Sequence, residues 1–298
     1  MRIVNMGDWP LSQEDEQAHK PGGEPLWNES HYFDFVSEDG ELGGYVRLGL
    51  YPNWKRAWYW ACLVTGDGRR AEVIDHEAPL PGPGLVVAGD GYTASCHTPE
   101  PFGSARVRLS SAGLSLDLEW RTSGGVYGYA LTPRYEVPCE VNGTIEGLGF
   151  RGAFHGHGER DHSWGVRDWW SISWLWSSGR LADGTQLHGM QANLGVALPW
   201  PAFRVPPGGE LEHVADFSAA TEFDGDRPVE TVLRFPGLAT RVRPLAFAPV
   251  TLTSAEGAVA EFPRAMCRFE AEDGRTGYGW TEWHQPPGWQ EHGWRPPT

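Results

Sequence analysis

Residues 155–170 read HGHGERDHSWGVRDWW and lie midway along a chain of 298 residues. The stretch holds three histidines, three carboxylates, two arginines and three tryptophans in sixteen positions. In an extended strand, alternate side chains point to opposite faces. The two predicted faces are His155, His157, Glu159 and Asp161 on one side and Arg160, His162, Trp164 and Asp168 on the other. Burial of so many ionisable groups is costly unless they are paired or reactive, so the stretch predicts a site.

The composition around this stretch favours β-structure. The chain has 16 tryptophans, 39 glycines and 24 prolines but only four methionines. Helical bundles are rich instead in Ala, Leu, Glu and Lys. Segments such as Leu114 to Trp120 alternate apolar and polar residues, as expected for a strand with one buried face. The predicted fold class is therefore all-β, built from antiparallel strands.

Recurring patterns predict two β domains in tandem. Asp-Gly pairs, which favour tight hairpin turns, occur at residues 39–40, 67–68, 90–91, 183–184, 224–225 and 273–274. An internal echo also appears: Trp58-x-Trp60 before Asp67-Gly68 recurs as Trp174-x-Trp176 before Asp183-Gly184, and Tyr127-Gly-Tyr129 resembles Tyr278-Gly-Trp280. The predicted organisation is an N-terminal arm over residues 1–28, a first domain over 29–150 and a second over 151–298.

The net charge and the cysteines indicate which partners and which cellular compartment to expect for this chain. The net charge of −15 disfavours nucleic acids and anionic membranes, which need a basic surface. No apolar window is long enough for a membrane span, and the first thirty residues lack the pattern of a secretory signal. The four cysteines lie far apart and predict buried thiols. A cytoplasmic protein is expected, and its oligomeric state is left open.

Three interpretations of residues 155–170 follow from the residue types. The first is a cupin-like metalloenzyme, since two histidines and a glutamate form the first cupin motif. His155, His157 and Glu159 resemble that motif, but the glutamate comes too early and no second motif forms around His188. No metal ligand set is therefore predicted, and this interpretation ranks behind the other two.

The second interpretation is structural, with buried ion pairs acting as a clasp between domains. The protein would then be a non-catalytic carrier of a lipid or terpenoid. The third is an acid–base site in an apolar pocket. Desolvation among tryptophans favours the neutral form of an acid or a histidine, and aromatic faces stabilise a developing cation. Such a site suits protonation of an alkene or epoxide, and this third interpretation is preferred.

The residues of this stretch also carry a family resemblance. Arg160-Asp161-His162-Ser163-Trp164-Gly165-x-Arg167-Asp168-Trp169 resembles the motif of the hydroxyneurosporene synthase (carotenoid 1,2-hydratase) and AttH-like superfamily. The resemblance implies two lipocalin-like β-barrels or half-barrels in tandem. It also implies acid-catalysed hydration of isoprenoid double bonds or a related cyclisation of polyenes.

The family's functional residues map onto this chain in part. The histidine and tryptophan of the motif match His162 and Trp164. The family's hydratases also have a Tyr-x-Asp pair on a later strand, where this chain reads Leu187-His188-Gly189-Met190-Gln191 and offers His188 instead. The resemblance thus implies the fold more directly than the reaction.

Together these arguments predict a cofactor-independent lyase (hydro-lyase) or an isomerase or cyclase acting on a hydrophobic, isoprenoid-like small molecule. Asp161 and His162 are expected to form the acid–base pair, with Trp164 stabilising positive charge. Arg160, Arg167 or Asp168 would orient them, and Asp168 is counted among the catalytic residues. The predicted substrate contacts are Trp169, Trp174, Trp176, His188, Tyr278 and Trp280.

Overall fold

The computed structural model describes residues 1–82, 84–193 and 200–290. The chain forms two compact units, each built on its own antiparallel sheet. The first unit contains residues 1–65 and 69–167, and the second contains residues 66–68 and 168–298. Among the described residues, no helix is long and apolar enough to cross a membrane.

The first unit is a nearly closed barrel. Its strands are β1 (Ile3–Asn5), β2 (Trp27–Ser37), β3 (Leu42–Tyr51), β4 (Arg56–Thr65), β5 (Arg70–Pro79), β6 (Val86–Gly89), β7 (Tyr92–Glu100), β8 (Ser104–Ser111), β9 (Leu114–Thr122), β10 (Val126–Gly128), β11 (Arg134–Gly147) and β12 (Phe150–Val166). The order around the sheet is β5-β4-β3-β2-β12-β11-β9-β8-β7-β6. The two end strands, β5 and β6, contact each other and bring the sheet round towards closure.

Apolar side chains at alternate positions of the strands fill the interior of this barrel. On β9, Leu114, Leu116, Leu118 and Trp120 are buried, while the polar residues between them are less so. Matching alternate positions of β2, β3, β4 and β11 complete one continuous apolar core. The strand prediction from period-two alternation is confirmed here, because only one face of each strand reaches the core.

The second unit repeats this plan as a half-barrel. Its strands are β13 (Trp174–Leu181), β14 (Gln186–Ala192), β15 (Ala202–Val205), β16 (Glu212–His213), β17 (Ser218–Asp224), β18 (Arg227–Phe235), β19 (Leu238–Phe247), β20 (Val250–Thr253), β21 (Val259–Phe262), β22 (Arg264–Ala271) and β23 (Thr276–His284). The main sheet has the order β16-β15-β14-β13-β23-β22-β19-β18-β17, and β20 pairs with β21. In both units the first long strand pairs with the last, which confirms the all-β tandem lipocalin-like architecture.

The boundary between the units differs from the predicted one. The prediction placed it at residue 150, so that residues 151–298 would form the second domain. The structure places the division after Arg167, because β12 pairs along its length with β11 and also with β2. The stretch at 155–166 is therefore the last strand of the first barrel and not the start of the second.

The N-terminal residues are part of the first unit and not a separate arm. Strand β1 pairs in parallel with β10, and residues Gln13–Glu16 form a 3-10 turn. Ser12 caps this turn: its hydroxyl accepts the amide of Glu14, and its own amide donates to the Asp15 carboxylate. A second 3-10 turn, Pro52–Trp54, joins β3 to β4.

Candidate functional site

The pairing of β12 with β2 places four polar or aromatic side chains inside the first barrel. His162 lies opposite His31, and Trp164 lies opposite Glu29. Directly opposed residues of antiparallel strands share a face. These four positions share the face of Phe33 on β2, which belongs to the barrel core. The predicted division of the stretch into two faces is thus confirmed within the strand.

Glu29 is the centre of a hydrogen-bonded cluster. Its Oε1 atom accepts the backbone amide of His19 at 3.0 Å and contacts the His19 Nδ1 atom at 2.8 Å. The same oxygen lies 3.0 Å from Nε2 of His162. The phenol of Tyr135, on β11, lies 3.4 Å from the other His162 nitrogen, Nδ1. The cluster therefore joins the N-terminal segment to three strands.

The surroundings of Glu29 keep its carboxylate ionised. Burial opposes ionisation, but hydrogen bonds from His162 and His19 outweigh it and lower the pKa of Glu29 to about 2. A carboxylate with such a pKa stays charged at neutral pH and does not donate a proton. Glu29 accordingly serves as the fixed negative charge around which the imidazoles are arranged.

His19 is held between two carboxylates and one indole. Its Nε2 atom lies 3.3 Å from Oδ1 of Asp15, and its ring stacks on Trp164 with centroids 3.7 Å apart. Burial lowers the pKa of His19, but hydrogen bonds to Glu29 and Asp15 more than compensate and raise it above its usual range. The two carboxylates thus stabilise the imidazolium form of His19 relative to an unpaired histidine, and the face of an indole also suits a cation.

His31 has the opposite electrostatic character. Its ring stacks on His162 with centroids 4.0 Å apart, and none of the described residues hydrogen-bonds to it. Burial, reinforced by the neighbouring His162 and Arg160, holds the pKa of His31 well below its usual range despite the nearby Glu29. His31 is therefore a neutral imidazole at neutral pH, with the capacity to accept a proton.

A cavity of about 570 Å³ opens onto this cluster. Its polar lining includes His19, Glu29 and His31. Its apolar lining comes from Trp27, Leu50, Pro52, Leu80, Pro81 and Leu85, and the thiol of Cys96 also lines it. Burial raises the pKa of Cys96 to about 12, so this thiol stays protonated. The volume is in the range of sites for small organic molecules.

The predicted Asp161–His162 pair is wrong, because adjacent residues of a strand point to opposite faces. Asp161 lies on the other face of β12, where its Oδ2 atom is 2.8 Å from an Nη2 donor of Arg134. Arg134 also pairs with the buried Glu136. The partner of His162 is Glu29, which lies 133 residues earlier in the chain.

The residues at the end of the stretch have local roles. Asp168 begins the second unit and caps a turn, accepting the amide of Trp170 at 2.9 Å and the hydroxyl of Ser171. Arg167 donates to the hydroxyl of Ser163, on the face of β12 that points away from the barrel core. Neither side chain belongs to the cluster around Glu29, so the predicted grouping of Asp168 with His162 is corrected.

The predicted substrate contacts all lie in the second unit. The core of that unit is reached by Leu175 on β13 and by Trp283 on β23. Trp174, Trp176, Tyr278 and Trp280 alternate with these core residues and lie on the opposite face of the sheet. His188 lies on that face as well. Its cross-strand partner is Ser178, which is two residues from Trp176 on β13 and therefore points to the same side of the sheet.

Ring contacts bring some of these residues together. Trp169 packs against Trp174 with centroids 5.4 Å apart, and Trp174 stacks on His284 at 3.8 Å. His188 stacks on Phe203 at 4.8 Å. The residues that line the cavity beside Glu29 come instead from the first unit.

The cupin-like arrangement does not form. His155 Nδ1 lies 2.7 Å from the side-chain oxygen of Asn142, and Nδ1 of His157 lies 3.7 Å from a carboxylate oxygen of Glu38. Within the described parts of the chain, no close group of possible metal ligands contains His155, His157 and Glu159 together. The three side chains follow one another along a strand, which separates their ligand atoms.

One close group of possible ligands does involve the cavity. The ligand atoms of His19, Glu29 and His162 lie within 4.8 Å of one another. Both imidazoles contact the same carboxylate oxygen at hydrogen-bond distance, and His19 also contacts Asp15 through its other nitrogen. We interpret this arrangement as a hydrogen-bonded cluster, in which Glu29 supplies the negative charge for both rings.

Sequence reasoning missed His19, Glu29 and His31. A usable signal was present: Trp27, Glu29 and His31 alternate along one strand and carry an aromatic, an acid and a histidine on the same face. No sequence pattern identifies His19. It lies in the irregular segment before β2, and its partner Glu29 follows ten residues later on that strand.

Comparison with known proteins supplies a family and a fold. A family model described as "Domain of unknown function (DUF7064)" matches residues 12–287. No curated protein matches the chain. Among solved structures, a putative AttH from Nitrosomonas europaea is 17% identical, with a TM-score of 0.66, over 95% of this chain and 98% of the other.

Two further structures share this architecture over the same 95% of the chain. Kievitone hydratase from Nectria haematococca is 10% identical with a TM-score of 0.62, and CghA with Sch210972 is 13% identical with a TM-score of 0.62. The matches span 96% of each of those chains. At these identities the likeness shows the fold alone, and that fold agrees with the one that the motif resemblance implies.

Proposed function

This chain belongs to the DUF7064 family and has a fold also found in a hydratase, and on that premise we propose that it is a cofactor-independent acid–base enzyme. Its reaction is the addition or removal of water, or an isomerisation, at a double bond of an apolar small molecule. The reaction takes place in the first-unit cavity beside Glu29. The observation that carries the proposal is that two histidines with oppositely shifted pKa values line one cavity and contact the same His162 ring.

In this mechanism His31 is the general base. Its neutral imidazole takes a proton from a water molecule in the cavity, and the water oxygen forms a bond to one carbon of the double bond. At the same time the π electrons of the double bond form a C–H bond at the other carbon with a proton from the acid, so the carbon that water attacks is electron-poor. Positioned bases of this kind typically contribute about 10²–10⁴-fold to the rate.

His19 is the general acid that supplies the second proton. Its imidazolium donates the Nε2 proton to that other carbon, while Nδ1 keeps its contact with Glu29 and Asp15 lies beside Nε2 at 3.3 Å. The overall reaction adds one water across the double bond, and the reverse sequence removes it. Glu29, His162 and Trp164 hold the acid in place by hydrogen bonding and stacking.

The cavity supports an apolar substrate. Trp27, Leu50, Pro52 and Leu80 offer hydrocarbon surface to the same cavity that His19, Glu29 and His31 line. A hydrophobic, isoprenoid-like molecule suits this mixed lining, since its double bond would lie at the histidines while its chain contacts the apolar side chains. The net charge of −15 supports a small-molecule partner over nucleic acid.

The proposal is tested by incubating the protein with farnesol and geraniol in D₂O and following product mass. Conversion adds one D₂O to the product or, in an isomerisation, one deuteron on carbon. We expect His31→Gln to lower this rate by about 100-fold or more, because it removes the base. His155→Gln, which changes an exposed histidine on the outer face of β12, should leave the rate unchanged.

Two results would overturn the proposal. One is equal turnover by His31→Gln and the wild type, which would remove the base from the mechanism. The other is saturable binding of these isoprenoids with no mass change in any product. That second result would identify a carrier, the competing function predicted from the sequence.

A further inference from the structure

A buried ion pair lies inside the first barrel, next to the cluster around Glu29. Arg160 donates to Oε1 of Glu16 at 2.7 Å and to Oε2 at 3.2 Å, which makes the contact bidentate. The two side chains are 2% and 1% exposed. The amide of Phe102 donates a third hydrogen bond, at 2.8 Å, to the Glu16 carboxylate. Glu16 thus has partners on β12 and on the β7–β8 connection.

Such a pair is poorly explained by stability alone. Burial of two charges costs about as much as their attraction returns, and apolar replacements of buried pairs are often neutral or stabilising. In this barrel, burial raises the pKa of Glu16 but the charge and hydrogen bonds of Arg160 outweigh it, so the pKa is lowered. The pair therefore remains ionic and holds its two elements in one defined geometry.

The two elements joined by this pair are the ones that carry the proposed acid. Glu16 ends the 3-10 turn Gln13–Glu16, and His19 follows three residues later. Arg160 and His162 occupy successive inward positions on β12. We call residues 13–21 the strap. It meets the barrel interior at Glu16 through Arg160 and at His19 through Glu29, and its residues form part of the cavity wall.

We propose that Glu16 and Arg160 are positioning residues that fix the strap over the cavity and so place the His19 ring between Glu29 and Trp164. Without the pair, the strap loses its ionic contact with β12, and the His19 ring moves away from Glu29 for part of the time. This inference rests on the proposed function for the importance of His19. The placement of His19 is nevertheless measurable without any substrate.

The test compares Glu16→Gln with Glu14→Gln, a matched change at an exposed position of the same turn. Hydrogen exchange at the His19 amide, which donates to Glu29, should become about tenfold faster or more in Glu16→Gln, because a charge-assisted contact is lost. The NMR-measured pKa of His19 should also fall towards about 6.5. Glu14→Gln should match the wild type in both measurements.

A second variant guards against failure to fold. Glu16→Gln alone leaves Arg160 buried without its charge partner, so Glu16→Gln with Arg160→Met provides an uncharged pair of similar size. It should fold, with the same fast exchange at His19 and the same lowered His19 pKa. A folded double variant with wild-type exchange and pKa would overturn the positioning role, whether or not His31→Gln affects turnover. A purely structural pair would change the unfolding free energy and leave the His19 pKa unmoved.

Discussion

At the scale of single residues, the site depends on partners that are distant in sequence. The motif predicts His162 as a site residue, and the hydrogen-bond partner of His162, Glu29, lies 133 residues earlier in the chain. Asp161 is the nearer acid, and strand geometry directs it to the other face. A strand motif therefore predicts which side chains share a face, while sheet pairing decides which of them meet.

The low pKa of Glu29 predicts a pH dependence of stability. Folding lowers this pKa from its ordinary value of 4.5 to about 2, so the contribution is present above pH 4.5 and is lost as the pH falls towards 2. The difference in unfolding free energy between the wild type and Glu29→Gln should therefore shrink by about 3 kcal/mol between pH 5 and pH 2. Urea unfolding at a series of pH values measures it.

A matched control for this prediction is Glu146→Gln, which changes an exposed glutamate at the end of β11. Its difference from the wild type should stay nearly constant over the same pH range. A constant difference for Glu29→Gln as well would mean that the cluster does not stabilise the ionised carboxylate.

At the scale of elements, β12 was predicted as a strand and β2 was not recognised as its partner. The period-two alternation predicts which side chains of β12 share a face. The repeated Trp-x-Trp pattern, however, pairs strands that do not occupy equivalent places in the two sheets. It aligned Trp58 on β4 with Trp174 on β13, whereas β13 occupies in its sheet the place that β2 has in the first. Tyr127 lies on the short β10, and its supposed counterpart Tyr278 lies on β23. The two units therefore share a similar strand order, but the repeated sequence patterns do not lie on equivalent strands.

The pairing of β12 with β2 makes a specific prediction about two glycines of β12. A Cβ atom at Gly158 would lie 2.0 Å from the backbone oxygen of Asp34 on β2, so the strands must separate to admit it. A Cβ at Gly152 would meet its nearest atom, on the Phe150 ring, at 3.7 Å. Gly158→Ala should destabilise the protein by about 1–3 kcal/mol.

Gly152→Ala, the same change on the same strand, should stay within about 0.5 kcal/mol of the wild type. Chemical denaturation of both variants measures the two values. Equal stability of the two variants would contradict the close approach of β2 and β12 at Gly158.

At the scale of the whole molecule, the fold class was predictable and the location of the site was not. Tryptophan and glycine content, alternation and the motif at Arg160 to Trp169 sufficed for two lipocalin-like units. The motif strand was assigned to the second domain because it follows the predicted boundary at 150, whereas pairing with β2 makes it the last strand of the first. Contacts between a first and a last strand leave no local sequence pattern.

The position of the cavity also escaped prediction, because its walls come from loops and irregular segments as well as strands. Residues 16–21 and the β5–β6 connection contribute to it, and neither has a periodic pattern. The predicted aromatic lining from the second unit rests mainly on alternation along strands, which identifies side chains that share a face but not the face that lines a cavity. The apolar lining of the first-unit cavity is mostly leucine and proline.

Binding of an isoprenoid in the first-unit cavity beside Glu29 is measured by farnesol-induced thermal stabilisation. A ligand that binds only the folded state raises the melting temperature. Leu50→Trp fills the cavity from its apolar lining, and Leu245→Trp makes the same change at an exposed position of the second unit. We predict that farnesol stabilises the wild type and Leu245→Trp equally and has little effect on Leu50→Trp. Equal stabilisation of all three proteins would contradict binding in this cavity.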